Sequence, residues 1–336
     1  MTHFPDLDPT RPLTLLAACP IYAPTPLVRA TIQGRRFLVK DESNRMGLGA
    51  FKALGGVYAV ARLIQQAVGH PVPAAEMQSA SVRQVARDMT FICASAGNHG
   101  LAVAAGATLF GANARVHLAA SVPEEFAQRL QAKGAQVVRS GDTYEQSIAA
   151  AIDDARDSGA IHLADGSWPG YVDPPRLVME GYTVMAEEMR QSFEDTGDWP
   201  SHVYLQAGVG GLAGAIAHMI RRNWHEQPEI IIVEPDAAPC LAASVAADQL
   251  VHVTGPVSSM GRLDCKDASM LAFEILRRDA DRFVTVSDAA AGDAVDVAQG
   301  AGFATTPSGC AGLAAALAEN ATSPLIIMSE GAVGAG

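Results

Sequence analysis

Residues 47–56 read GLGAFKALGG and hold one lysine, Lys52, among small and apolar neighbours, with no acidic residue within nine positions. A lysine at such a crowded turn, partly desolvated and without a partner, has its pKa pushed down and becomes a nucleophile able to form a Schiff base. Two glycine-rich stretches offer groups for it to work with. In VYLQAGVGGLAG, residues 203–214, an apolar strand runs through Gly208, Val209, Gly210, Gly211 and Leu212 into an alanine-rich helix. Consecutive amides without β-carbons, at the positive end of a helix dipole, form a phosphate cradle; the plainer reading is close packing of helix on sheet. In FICASAGNHG, residues 91–100, Ser95, Ala96, Gly97, Asn98 and His99 join a strand to a helix. Free amides there, with a hydroxyl and a carboxamide, suit a carboxylate plus one acceptor on a ring, or a simple helix cap. TTPSGCAG, residues 305–312, sets Ser308 before another helix, where by itself it is an ordinary cap.

The glycine turn at 208–213 also fits a dinucleotide fingerprint loosely, through Gly208, Gly210 and Ala213, with Glu234 ending the next strand as a ribose-binding acid would. That reading leaves Lys52 without a use, and the turn lies deep in the chain instead of opening a domain. A P-loop is excluded, because no Gly-Lys-Ser or Gly-Lys-Thr occurs. One phosphate cradle, one carboxylate loop and one nucleophilic lysine together describe a site for pyridoxal phosphate.

Composition narrows the setting of that chemistry. The chain has 336 residues, enough for one large or two moderate domains. Its net charge is -12 and its 24 basic residues are scattered, which argues against a nucleic-acid partner. No apolar run reaches membrane length and the opening residues lack a targeting pattern, so a cytoplasmic protein with no membrane partner is expected. The five cysteines, Cys19, Cys93, Cys240, Cys265 and Cys310, show no metal-ligand spacing, so no metal is expected.

The elements that must carry these turns alternate. Apolar runs at RRFLVK, TFICAS, ARVHLAA, AQVVRS, HVYLQA, EIIIVE, DRFVTVS and PLIIMS are separated by longer stretches of helical period. That pattern predicts an α/β fold with mostly parallel sheets flanked by helices. Residues 70–89 are the best candidate linker or insertion, and the closing GAVGAG reads as a flexible end.

Longer motifs carry a resemblance. YAPTPLV, KDESNRMGLGAFKALGG, FICASAGNHG, DGSWPGY, QAGVGGLAG, VEPDAAPCL, MGRLDCKDAS and the final SEG run collinearly through nearly the whole chain. Together they resemble the fold-type II, tryptophan synthase β-like, pyridoxal phosphate enzymes, and within them the diaminopropionate ammonia-lyases. The resemblance implies two domains, each with a twisted, mostly parallel sheet. Residues 1–59 and 165–336 would form the large, cofactor-binding one, and 60–164 the small one with the SAGNHG turn. It implies that Lys52 holds the cofactor as a Schiff base, Asn98 meets its 3′-hydroxyl, Gly208 to Leu212 bind its phosphate and Ser308 faces the pyridine nitrogen. Ser95, Ala96, Gly97, Asn98 and His99 would hold the carboxylate of a small amino-acid substrate.

Departures from the pattern shape the expected activity. Ala96 stands where these ammonia-lyases resemble this chain with an aspartate, the base for the D-isomer, and a methyl group cannot accept a proton. ASAGNH resembles the L-threonine and L-serine dehydratases instead. Asp165 matches a second acidic residue of the ammonia-lyases, able to hold a cationic β-amino group, or it is a turn residue. The implied activity is β-elimination from a small L-amino acid, L-2,3-diaminopropionate first. A serine, threonine or 3-hydroxyaspartate dehydratase and a catalytically idle cofactor-binding protein are the alternatives. Cys240 and Cys265, near the site entrance, are expected as free thiols with a bridge as the alternative, and Glu330 approaching the ring or lying on the surface, with a homodimer, completes the expectations. The catalytic motifs fill the chain and leave no stretch for an appended regulatory domain.

Overall fold

The computed structural model describes residues 7–332, so most of the closing GAVGAG lies outside the described residues. Two sheets organise the chain. The larger begins with a hairpin, β1 (Leu27–Ile32) antiparallel to β2 (Arg35–Asp41). Its turn residues, Gln33 and Gly34, have φ of 49° and 75°, the left-handed pair that a two-residue hairpin matching strand twist requires. The smaller sheet is parallel throughout, built from β3 (Thr90–Cys93), β4 (Asn113–Leu118), β5 (Ala135–Arg139) and β6 (Ile161–His162) in the order β5-β4-β3-β6. The chain then returns to the large sheet with β7 (His202–Gln206), β8 (Glu229–Pro235), β9 (Arg282–Val286) and β10 (Pro324–Met328). The final order is β1-β2-β10-β7-β8-β9, all parallel after the first pair.

Strands covered by helices on both faces read as unbroken apolar runs, and β8 and β10 show this: every residue of PLIIM is buried. This is the α/β class that the alternating sequence predicts. The helix Lys52–Val68 packs on the helices Asn98–Phe110 and Asp173–Thr196. The two glycines that follow Lys52 are needed for that packing. A β-carbon on Gly55 would lie 2.4 Å from Tyr182 Cε1, and one on Gly56 would lie 2.6 Å from Ala102 Cβ. Helices come this close only where side chains are missing. Residues 70–89, expected as a linker or insertion, fold as a 3-10 turn, Ala74–Glu76, and the helix Ala80–Ala86, capped by the Ser79 hydroxyl at 3.4 Å from Val82 N.

Candidate active site

Lys52 opens its helix, and the loop before it is stitched to the chain's last strand. Phe51 N–H donates to the Ser329 carbonyl at 3.1 Å, Gly331 N–H donates to the Gly49 carbonyl at 3.0 Å, and Ala50 bridges Glu330. The lysine amine is not alone. Its Nζ donates to the carboxylate of Asp165, in the bend after β6, and sits 5.1 Å and 5.7 Å from the ring centres of Phe51 and Tyr182.

This corrects the expectation of an unpaired lysine with a depressed pKa. Burial is the largest single effect and pushes the Lys52 ammonium down, but the Asp165 charge and hydrogen bond, with Tyr182, together outweigh it and hold the amine above its ordinary range. Asp165 moves the complementary way: burial would raise it, and the Lys52 charge keeps it well below the usual carboxylate range. The partner stands 113 positions away along the chain, out of reach of any local reading.

The glycine turn lies against this pair. A β-carbon on Gly211 would stand 3.7 Å from both the Asp165 carbonyl and Tyr182 Cε2. Gly210 has φ of 97°, and a β-carbon there would meet Leu241 Cδ1 and Ala272 Cβ at 2.9 Å, so only glycine fits the turn. Gly214 N–H to the Gly210 carbonyl, 2.8 Å, is the first bond of the helix Gly211–Asn223, leaving the amides of Gly211, Leu212 and Ala213 ahead of it. Val209 is anchored by Ser269 N–H at 2.9 Å from its carbonyl, and Gly208 packs beside Cys265.

The turn of residues 95–99 reaches Glu330 through Asn98, and the stretch that carries Ser308 reaches it through Thr306. Asn98 is the first residue of the helix Asn98–Phe110, and its side-chain amide donates to Glu330. Ser95, Ala96 and Gly97 are half-buried before it. His99 is buried, with Nε2 2.8 Å from the Leu163 carbonyl, so that nitrogen carries the proton and Nδ1, buried without a partner, is a bare acceptor. Burial lowers its pKa and keeps the ring neutral.

Ser308 is buried and does not cap a helix. Its Oγ accepts the Arg262 backbone N–H at 3.2 Å, and the next helix is led by Cys310 without a side-chain cap. Glu330 is 4 % exposed, which removes the surface reading. Thr306 donates to its carboxylate, Arg262 Nε lies 2.6 Å away, and burial raises its pKa against the Arg262 charge.

Two other expectations meet the geometry here. Glu234 turns inward and accepts the N–H groups of Leu241 and Ala242 at 2.8 Å each, with burial raising its pKa to about 7. It is committed to a helix start and has no edge for a ribose, which removes the dinucleotide reading. Cys240 and Cys265 are free thiols, as are the other three. Sequence reading missed Tyr182, whose buried hydroxyl has no partner, along with Arg262 and Thr306. None has a sequence signal, since Tyr182 sits in a helical apolar face and Arg262 in an irregular stretch.

The donor set suits pyridoxal phosphate: free helix-head amides for a phosphate, a primary amine beside an acid and two rings, and unpartnered buried atoms on Tyr182 and His99. The sequence profile described as "Pyridoxal-phosphate dependent enzyme" matches residues 19–324. The chain belongs to the pyridoxal-phosphate-dependent enzyme family. Among curated members, diaminopropionate ammonia-lyase of Escherichia coli (strain K12) is 33% identical over 277 residues, which is 80% of this chain and 69% of that protein. A probable D-serine dehydratase of Acidovorax ebreus is 30% identical over 268 residues, 74% of this chain and 57% of that one. The crystal structure of the Escherichia coli diaminopropionate ammonia-lyase with an aminoacrylate-PLP azomethine reaction intermediate superposes with a TM-score of 0.84 at 29% identity, covering 96% of this chain and 88% of the other. This family membership accounts for the fold and the cofactor that the motifs implied.

Proposed function

We propose that this protein is an ammonia-lyase that eliminates the β-substituent of a small L-amino acid, with L-2,3-diaminopropionate, converted to pyruvate and ammonia, as the leading substrate. The observation that carries the reading is the Lys52–Asp165 pair set against the glycine turn. The amides of Gly208, Val209, Gly210, Gly211 and Leu212 hold the cofactor phosphate, Asn98 its hydroxyl and Ser308 its ring nitrogen. Lys52 would hold the cofactor, which would supply an electron sink for the substrate α-carbon. A neutral serine at the ring nitrogen keeps that withdrawal moderate, which favours fast loss of a β-group.

The residues then divide the work. The turn from Ser95 through Ala96, Gly97 and Asn98 to His99 fixes the substrate carboxylate. As a free, unprotonated amine, Lys52 would take the α-proton from its own face. Asp165, ionised throughout the working range, holds the β-ammonium until it departs as ammonia. With a methyl at Ala96 no base faces the other side, so the L-isomer is the substrate. The same ASAGNH turn favours a second reading, dehydration of L-serine, L-threonine or 3-hydroxyaspartate, with every cofactor contact shared.

We also infer a large domain, 1–59 with 165–336, and a small one, 60–164, that closes over the substrate to exclude water. Among the described residues no helix is long and apolar enough to cross a membrane, and with five free thiols we infer a cytoplasmic homodimer. The deciding experiment measures products and absorbance of the purified protein, with Lys52→Ala beside it. The reading expects a visible band that the variant lacks, and two ammonia per pyruvate from L-2,3-diaminopropionate. Turnover of serine or threonine alone transfers the assignment to a dehydratase, and a colourless protein after addition of pyridoxal phosphate overturns both.

A further inference from the structure

Glu330 is the meeting point of the site's ring end, and Arg262 is the group that makes its burial affordable. The carboxylate is 4 % exposed and accepts from the side chains of Asn98 and Thr306, while Arg262 Nε stands 2.6 Å from it. The same Arg262 donates its backbone N–H to Ser308 Oγ at 3.2 Å, and its carbonyl lies where a β-carbon on Gly208 would be only 3.0 Å away. One residue therefore touches the carboxylate that holds Asn98, the hydroxyl of Ser308 and the first glycine of the phosphate turn. It comes from an irregular stretch, 257–269, far in sequence from all three.

We propose that Arg262 and Glu330 form a positioning pair that fixes Asn98 and Ser308 toward the ring of the cofactor, an inference that rests on the pyridoxal phosphate reading of this site. The hydrogen-bond inventory gives the reason. A carboxylate accepts only, so Glu330 must face the amide edge of Asn98 and thereby sets which edge carries the hydrogens. One amide hydrogen is used and the second remains for an oxyanion on the ring. Ser308 receives an N–H on its oxygen, so its own proton is left to donate, as a neutral ring nitrogen requires.

Charge balance supports the same assignment. The charged groups around Glu330 are Arg262 and, further off, Lys52 with its partner Asp165; His99 is neutral. Among the described residues, Arg262 is the cation in direct contact with the carboxylate. A buried carboxylate stripped of its cation disturbs everything that leans on it. Arg262 and Glu330 thus act on the Schiff base at a distance, with opposite signs.

The test uses the full chain reconstituted with pyridoxal phosphate, as wild type, Arg262→Met, Arg262→Lys and Glu330→Gln. It records the pH titration of the visible band, the rate of cofactor release on dilution, and melting without cofactor. Loss of the cation leaves a bare carboxylate that favours the protonated Schiff base, so Arg262→Met should raise the titration midpoint by about one pH unit. Glu330→Gln leaves a bare guanidinium and should lower it by a similar amount. Both should release cofactor about tenfold faster, and Arg262→Lys should restore the midpoint.

Unchanged midpoints and release rates with a lower melting temperature, or both variants moving the midpoint the same way, overturn the inference and leave Arg262 a packing residue. A wild-type chain that takes up no pyridoxal phosphate overturns the function on which the inference rests, whereas a normal wild-type band with silent variants overturns the inference alone.

Discussion

In the proposed reaction, single residues set which face of the substrate can lose its proton. Ala96 is half-buried in the turn and packs against the apolar core, and its methyl offers no titratable group there. Ala96→Asp should therefore add a base and little else. We expect turnover of D-2,3-diaminopropionate relative to the L-isomer to rise about tenfold or more, measured as pyruvate released from each enantiomer. An unchanged ratio would move the source of stereochemical choice away from this position. Lys52 marks the limit of residue-scale reading. Its type and its glycine neighbours announced a reactive amine, but its state depends on Asp165, which three-dimensional structure alone brings near.

At the scale of elements, the turn between β7 and the helix Gly211–Asn223 depends on one left-handed residue. Gly210→Ala would force a side chain into φ of 97° and into Leu241 and Ala272. The backbone term alone is about 1–2 kcal/mol, and the overlap must be relieved by moving the amides. Thermal melts with and without pyridoxal phosphate should show a larger loss with it, because the cradle and not only the core is deformed. Equal losses would reduce the turn to packing.

Elements were legible where burial makes the sequence uniform. The eight apolar runs match β2 to β5 and β7 to β10. β1 was not singled out, since LVRATI is an edge strand with one buried residue, and β6 has only two residues. Neither carries enough buried surface to imprint a pattern.

For the whole molecule, a buried charge cluster links the first strands to the long helix Asp173–Thr196. Lys40 and Arg45 meet Glu42 and Glu188, with Lys40 Nζ 2.6 Å and Arg45 Nη1 2.7 Å from Glu188. All four side chains are at most 4 % exposed. Burial would raise the Glu188 pKa, but hydrogen bonds from Arg45 and the Lys40 charge lower it below its ordinary 4.5. A group lowered on folding contributes stability that is present above the unfolded pKa and lost as pH falls through the folded one. Glu188→Gln should cost about 3–5 kcal/mol by leaving two buried cations short of charge, and should flatten the acid limb of a urea-unfolding series run from pH 7 down to pH 3. An acid limb as steep as that of wild type would assign acid sensitivity elsewhere.

The last of the described strands, β10, lies in the middle of the large sheet between β2 and β7, and the residues just after it clasp the loop that carries Lys52. The chain emerges from its N-terminus, so β2 and β7 each keep an open edge until β10 follows them. The loop that carries Lys52 is consequently clasped only once β10 and the residues just after it have been made. A nascent chain that has not reached β10 presents that amine without its clasp.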